Sequence, residues 1–408
     1  MERALPVIPG VHAAMTENPF SLDRRTLLAA ALAGPMAPAA RLFAAPVGTP
    51  RLLVLFMRGA YDAASVLVPT GPFYAQSRPR LAIAQPIPLD ADWGLNPVLA
   101  PTLLPFWKRR ELAFIPFAGT PDMSRSHFGT QDTVEYGQPL DPALGRARDT
   151  RTGFLNRLAA ELSGESPMAF TNQMPLAFRG PVAVPNVVPS EKAGTTDARR
   201  NALLARMYAG DKELGNQVTQ GISTQQEVSE ALTKEMLMSG GGAIGASVFE
   251  KMARKIGAVM RGRPNLCFAD VGGWDTHVNQ RGALDYRLGV LGKGLAGFAE
   301  ALGPAEWEKT TVVVISEFGR TFRENGSGGT DHGHGTTFWV LGGNVRGGRI
   351  VGEQVQVVQA TLNQDRDFPV LNEVRGVFGG LFQQLYGLDK TRIDRIFPNA
   401  PPLKLGLV

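Results

Sequence analysis

Five histidines occur in the chain of 408 residues: His12, His127, His277, His332 and His334. Four of them stand in short polar segments with acids or hydroxyls close by. These are Ser124-Arg125-Ser126-His127, Asp275-Thr276-His277 and Asp331-His332-Gly333-His334. In an extended segment residues i and i+2 point to the same side. Asp275 with His277, and His332 with His334, can therefore each face one site as a pair. With Asp62 and Glu317 they form a set of carboxylates and imidazoles that includes no thiolate. Such donors suit zinc, manganese or iron and, with more oxygens, magnesium or calcium. Taken singly, each has a plainer reading. Asp62 suits a helix N-cap, Ser124 or Ser126 an N-cap serine, and the paired histidines a polar surface loop.

The elements that must position these residues are short apolar runs. Arg51 to Met57, Leu112 to Phe117, Leu266 to Val271 and Thr311 to Ile315 lack polar alternation, as strands buried on both faces do. Asp62, the Ser124–His127 segment, Asp275 with His277, and Glu317 each follow one of these runs. A Gly-rich loop then leads through His332 and His334 to a further apolar run, Thr337 to Leu341. In open α/β sheets ligands bind at the C-terminal ends of the strands. Short strands alternating with helical segments predict a doubly wound α/β fold with a mostly parallel central sheet. Helical spacing is densest from Thr196 to Arg261, read as an insertion or cap, and returns from Leu371 to Leu385. A serine at a helix start lies in the positive end of the helix dipole. Beside a divalent ion it can be ionised and serve as a nucleophile.

Composition limits the partners. Hydrophobic residues make up 44% of the chain, enough for a large core, and charged residues only 19%. Residues 1–45 hold Asp23-Arg24-Arg25-Thr26-Leu27-Leu28 before an Ala-rich apolar run, which resembles a twin-arginine export signal. Met15 would leave a more usual leader length. The leader carries Arg3, Arg24, Arg25 and Arg41 against Glu2, Glu17 and Asp23, so the formal +5 of the chain becomes 5 − 1 = +4 for residues 46–408. That mild excess, without a basic run, argues against nucleic acid as a partner and suits a small anionic ligand. Pro35 and Arg41 interrupt the leader's apolar run, and no other stretch is long enough for a stable transmembrane segment. Cys267 is the single cysteine. It lies in an apolar run, which reads as a buried strand position.

The order of these motifs resembles the alkaline phosphatase-like superfamily, especially its cofactor-independent phosphoglycerate mutase and phosphopentomutase branch. Gly329-Thr330-Asp331-His332 is similar to the segment that carries a late metal-ligand histidine there. Asp62 matches the early aspartate, and Asp275 and His277 match the middle pair. The mature chain from about Arg51 to Leu385 more closely resembles the DUF1501 family of exported proteins, through GGWDTH, SEFGRT, GGTDHGHGT and SRSHF. The resemblance implies a divalent metal held by Asp62, Asp275, His277, Glu317 and His332, with His334 as a further candidate. It implies Ser124, then Ser126, as nucleophile, activated by the metal or by His127. It also implies export by the twin-arginine machinery to the periplasm or beyond. One departure stands out: Phe318 follows Glu317 where the superfamily has a histidine, and phenylalanine cannot bind a metal. Two functions are therefore expected from different classes. One is a metal-dependent hydrolase or transferase for phosphate or sulfate esters. The other is a non-catalytic exported binding or assembly protein on the same scaffold.

Overall fold

The structure, a computed structural model, describes residues 49–138, 149–187 and 248–408, with a few helical positions between 206 and 223. The leader reading and most of the expected 196–261 insertion lie outside the described residues. Its longest described part, Val248–Met260, is a helix.

Eleven strands are present among the described residues: β1 Arg51–Met57, β2 Leu67–Pro69, β3 Ile87–Pro88, β4 Trp93–Leu95, β5 Leu112–Gly119, β6 Pro167–Phe170, β7 Leu266–Val271, β8 Thr310–Ile315, β9 Thr336–Leu341, β10 Arg349–Ile350 and β11 Asn372–Glu373. Eight form the central sheet in the order β10-β5-β9-β8-β1-β7-β6, with β11 also paired to β5. β9 is antiparallel to both β5 and β8, while the other pairings are parallel. The remaining three strands make a small antiparallel sheet, β2-β4-β3. The expected fold class, a mostly parallel central sheet with helices, is the one observed.

Every residue of β1, β5, β8 and β9 is buried, as their predominantly apolar character requires. Alternate side chains enter two cores. On one face Leu53, Leu55, Val312, Val314 and Cys267 pack with Leu288, Leu291 and Leu295 from the helix Gln280–Leu302. On the other, Val54, Phe56, Val313 and Ile315 pack with Val377, Phe378 and Leu381 from the helix Val374–Tyr386. The Cys267 thiol is fully buried, and that burial raises its pKa, which suits an inert core residue.

The antiparallel course of β9 matters for the site. Its first residues lie at the sheet edge where β1, β7 and β8 end. The loop carrying His332 and His334 therefore arrives at the same edge as the segments following β1, β5, β7 and β8. At this edge Gly59 sits at φ +116°, with backbone of Trp274 and Asp275 so close that a Cβ would meet the Asp275 nitrogen at 2.8 Å. Glycine is the residue that fits there.

Candidate metal centre

Three imidazoles meet at this edge. The His127 and His332 Nε2 atoms are 3.0 Å apart, and those of His277 and His332 are 3.1 Å apart. Asp275 closes the group, its Oδ1 lying 2.9 Å from His277 Nε2 and 3.3 Å from His332 Nε2. Its Oδ2 is 3.5 Å from His127 Nε2. Ligand atoms of His127, Asp275 and His332 all lie within 4.8 Å of one another.

The other nitrogen of each ring is occupied by an acceptor. His127 Nδ1 is 2.7 Å from Glu317 Oε1, His277 Nδ1 is 3.1 Å from Asp331 Oδ1, and His332 Nδ1 is 3.0 Å from the Arg125 carbonyl. A carbonyl or carboxylate accepts only, so in the neutral rings the proton belongs on Nδ1 and the lone pair on Nε2. The His332 lone pair then faces those of His127 and His277, with the Asp275 carboxylate beside them and no hydrogen between, which is repulsive unless a cation lies there. This is the pattern of metal-binding histidines oriented by outer carboxylates and carbonyls. The donor set fits a divalent metal ion.

Each ring's setting follows from local structure. His127 is the first residue of the helix His127–Tyr136, after the N-cap residue Ser126. Arg125 takes a left-handed backbone conformation, φ +51°, and its carbonyl is the one that faces His332. Its guanidinium is anchored to Asp367 and Gln364. Phe318 is buried and stacks on His127 with centroids 4.9 Å apart. The residue that cannot ligate thus forms a wall that holds a ring which can.

Glu317 stands one layer behind the cluster. Its Oε1 accepts from Gln131 and the Gly59 N–H as well as facing His127, and its Oε2 accepts from Ser316. Burial works to raise its pKa, but the hydrogen bonds from His127 and Gln131 hold it below the usual carboxylate range. The hydrogen bond to Glu317 raises the pKa of His127, while burial lowers that of His332. Burial also opposes ionisation of Asp275, yet the buried Arg320 guanidinium, 2.5 Å from its Oδ1, keeps its pKa low.

Of the residues singled out in the sequence, Asp275, His277 and His332 are brought together, and His127 joins them through its own ring. Asp62 is placed elsewhere, in a buried ion pair. Its Oδ1 accepts from Arg78 Nη2 at 2.9 Å, and its Oδ2 from Ser65 and Gln280 at 2.7 and 2.6 Å. Arg78 also donates to Oδ2 and has no exposed surface. Asp62 does occupy an N-cap position, before the short helical turn Ala63–Ser65, but makes no side-chain cap. Gln280 links it to Thr276 and Thr330, and Thr330 accepts from Arg320. Asp62 thereby supports the site at a distance.

His334 also separates from His332. The intervening segment is not a regular strand: His332 makes a single bridge to Arg320, and Gly333 lies flush on the Arg320 backbone. The same-side rule for extended chain does not hold through this turn. His334 is buried with Asp367, Arg125 and Asp122 as its charged neighbours, and burial lowers its pKa. Ser124 and Ser126 are exposed on the loop before His127, and Ser124 Oγ accepts from the Ser126 N–H at 3.3 Å. Sequence reasoning did not single out Arg320 or Gln131, which contact Asp275 and Glu317, and named His127 only as an activator of a neighbouring serine. The arginine of SEFGRT and the glutamine one helical turn after His127 were the available signals.

With the geometry in hand, the comparisons place the chain. Residues 49–397 match the family described as Protein of unknown function (DUF1501), and the chain belongs to that family. No curated protein matches. Among solved structures the chain is similar to a protein in the alkaline phosphatase superfamily from Vibrio parahaemolyticus (11% identity, 85% of this chain and 68% of that one, TM-score 0.38). It is also similar to the C-terminal periplasmic domain of EcEptC from Escherichia coli, in complex with zinc (10% identity, 74% and 76%, TM-score 0.37). A third likeness is to the lipoteichoic acid synthase LtaP from Listeria monocytogenes (10% identity, 86% and 74%, TM-score 0.36). The first of these belongs to the superfamily expected from the motif order. At such scores the likeness carries nothing about chemistry.

Proposed function

We propose that this protein binds a divalent metal ion through His127, Asp275, His277 and His332 and uses it to hydrolyse or transfer phosphate or sulfate esters. The observation that carries the reading is the His332 Nε2 lone pair facing those of His127 and His277, each ring fixed by an acceptor on its far side. A bound divalent ion would supply Lewis-acid stabilisation of a phosphoryl or sulfuryl oxygen. The chain's own groups do the rest. Glu317, Asp331 and the Arg125 carbonyl hold the rings, Arg320 holds Asp275, and Phe318 excludes water from one side of His127. Ser126 directly precedes His127 and its hydroxyl is not used to cap the helix. Ser124 and Ser126 are the nucleophile candidates, in that order from spacing. The metal-binding part of the reading extends to zinc, manganese, magnesium or calcium, with zinc favoured by three imidazoles.

Residues 24–25 and the apolar run after them support export by the twin-arginine route to the periplasm or beyond, which would allow metal loading before translocation. No helix among the described residues is long and apolar enough to cross a membrane. One observation favours the second reading, a binding or assembly protein without turnover. Among the described residues, neither the Ser124 nor the Ser126 hydroxyl donates a hydrogen bond to the histidine cluster. The deciding experiment is an ester screen on zinc-loaded protein, with phosphate monoesters, phosphate diesters and sulfate esters. Turnover lost in His277→Ala and in one serine variant supports the enzyme. Stoichiometric metal without turnover of any ester selects the binding protein.

A further inference from the structure

At the opposite edge of the central sheet, where β5 begins and β9 ends, lies a pocket of about 500 Å³ lined by Arg109, Arg110, Glu111, Arg346 and Arg349. Four arginines face one glutamate, a local charge of 4 − 1 = +3 in a chain whose formal total is +5. This pocket carries a local excess of positive charge at the sheet edge opposite the histidine cluster.

The four guanidiniums are held differently. Arg109 lies over the Phe106 ring at 4.9 Å and pairs with Glu111 at 2.9 Å. Glu111 is shared further, since its Oε2 also accepts from Trp307 Nε1 at 3.1 Å. Arg349 donates to the carbonyls of Arg346, Leu405 and Gly406. Arg110 and Arg346 have no ion-pair or side-chain hydrogen-bond partner among the described residues, and both are exposed. Their backbones are fixed all the same. Arg110 adopts φ +63°, its N–H bonded to the Trp107 carbonyl and its own carbonyl accepting from Gly347. The Arg346 N–H donates to the Leu407 carbonyl. Two unpaired guanidiniums anchored on a fixed backbone, beside two that are already oriented, can meet forked oxygens.

We propose that this pocket binds an oligoanion, a ligand carrying two or more linked phosphate groups, through Arg110 and Arg346 with Arg109 and Arg349 in support. A single monoanion would be met by one fork only, whereas linked phosphates can engage both unpaired arginines at once. The phosphates can belong to a free oligophosphate or to clustered phospholipid headgroups. Binding at this edge leaves the histidine edge free.

The test uses the full chain, inorganic tripolyphosphate and vesicles containing an anionic phospholipid. Calorimetric titration should show tripolyphosphate binding that Arg110→Ala with Arg346→Ala weakens by about ten-fold or more. Arg287→Ala with Lys293→Ala, an equal loss of charge on the helix Gln280–Leu302, should leave it unchanged. His277→Ala should leave it unchanged as well, which separates this site from the proposed metal centre. Vesicle capture lost in the Arg110/Arg346 variant, with tripolyphosphate bound weakly, supports the site and names lipid phosphates as the source. The proposal is overturned if the parent binds neither probe, if both charge variants lose binding equally, or if His277→Ala abolishes it.

Discussion

Asp62 and Arg78 offer a sharp test of what the early aspartate does. Both side chains are buried, and the carboxylate accepts from Arg78, Ser65 and Gln280. Arg78→Met removes the counter-charge and leaves an ionised group in the core, a change that costs about 3–5 kcal/mol. Asp62→Asn leaves the permanently charged Arg78 guanidinium buried with only neutral acceptors, such as the Thr321 and Phe322 carbonyls, and should also cost about 3–5 kcal/mol. The pH dependence gives the sign. Burial works to raise the Asp62 pKa, and Arg78 overcomes this to hold it below its ordinary value. In the parent, this contribution is present above the unfolded carboxylate pKa of about 3.9 and is lost as pH falls through the depressed folded value. In Arg78→Met the folded pKa rises, so the carboxyl can fold protonated in acid. The deficit of the variant should be largest near neutral pH and shrink towards about pH 4. Urea unfolding across this range measures it. Metal content should stay at the parent level in Asp62→Asn. A deficit that does not vary with pH, or loss of the metal in Asp62→Asn with the fold intact, would refute the assignment of Asp62 to a structural ion pair.

Three further outcomes are expected. Burial pushes the Glu165 carboxyl up to about 7, so its share of stability is full below the ordinary glutamate value and falls as pH rises towards 7. Glu165→Gln should remove that fall and gain up to about 3 kcal/mol over the parent at high pH, seen in denaturation curves at several pH values. Glu317→Gln, which weakens the acceptor for His127, should lower metal affinity by about 10- to 100-fold in a chelator competition while leaving the fold unchanged by circular dichroism. Phe318→Ala deletes a buried ring stacked on His127 and should cost about 3–5 kcal/mol in unfolding.

Much of the fold was legible because its central strands are buried on both faces and must be apolar throughout. The runs at Arg51, Leu112, Leu266 and Thr311 needed no knowledge of partners. Strands of two or three residues, such as β3, β10 and β11, leave no periodicity to read. The antiparallel course of β9 is set by where the loop after β8 turns, which no local pattern records. At the site, Asp275 and His277 could be placed together because they share one segment at a strand end. The pairing of Asp62 with Arg78 and Gln280 was not legible, since the glutamine lies 218 positions away in sequence. The divergence of His332 and His334 turns on Gly333 lying flush against the Arg320 backbone, a tertiary contact that the spacing rule cannot see. His127 drew attention as a partner for a serine because it stands beside two hydroxyls. Its meeting with His332 depends on a loop 205 residues further on.

The most direct measurement is the metal itself. Protein purified from its native export route should be analysed for metal content, and its X-ray absorption spectrum recorded at the edge of the metal found. The arrangement of His127, His277, His332 and Asp275 predicts one divalent ion per chain, bound by three imidazole nitrogens at about 2.0–2.1 Å with oxygen completing the shell. His332→Ala, which removes the ring shared by both close contacts, should abolish that signal. A chain that stays metal-free under saturating zinc, or a spectrum without imidazole scattering, would contradict the account.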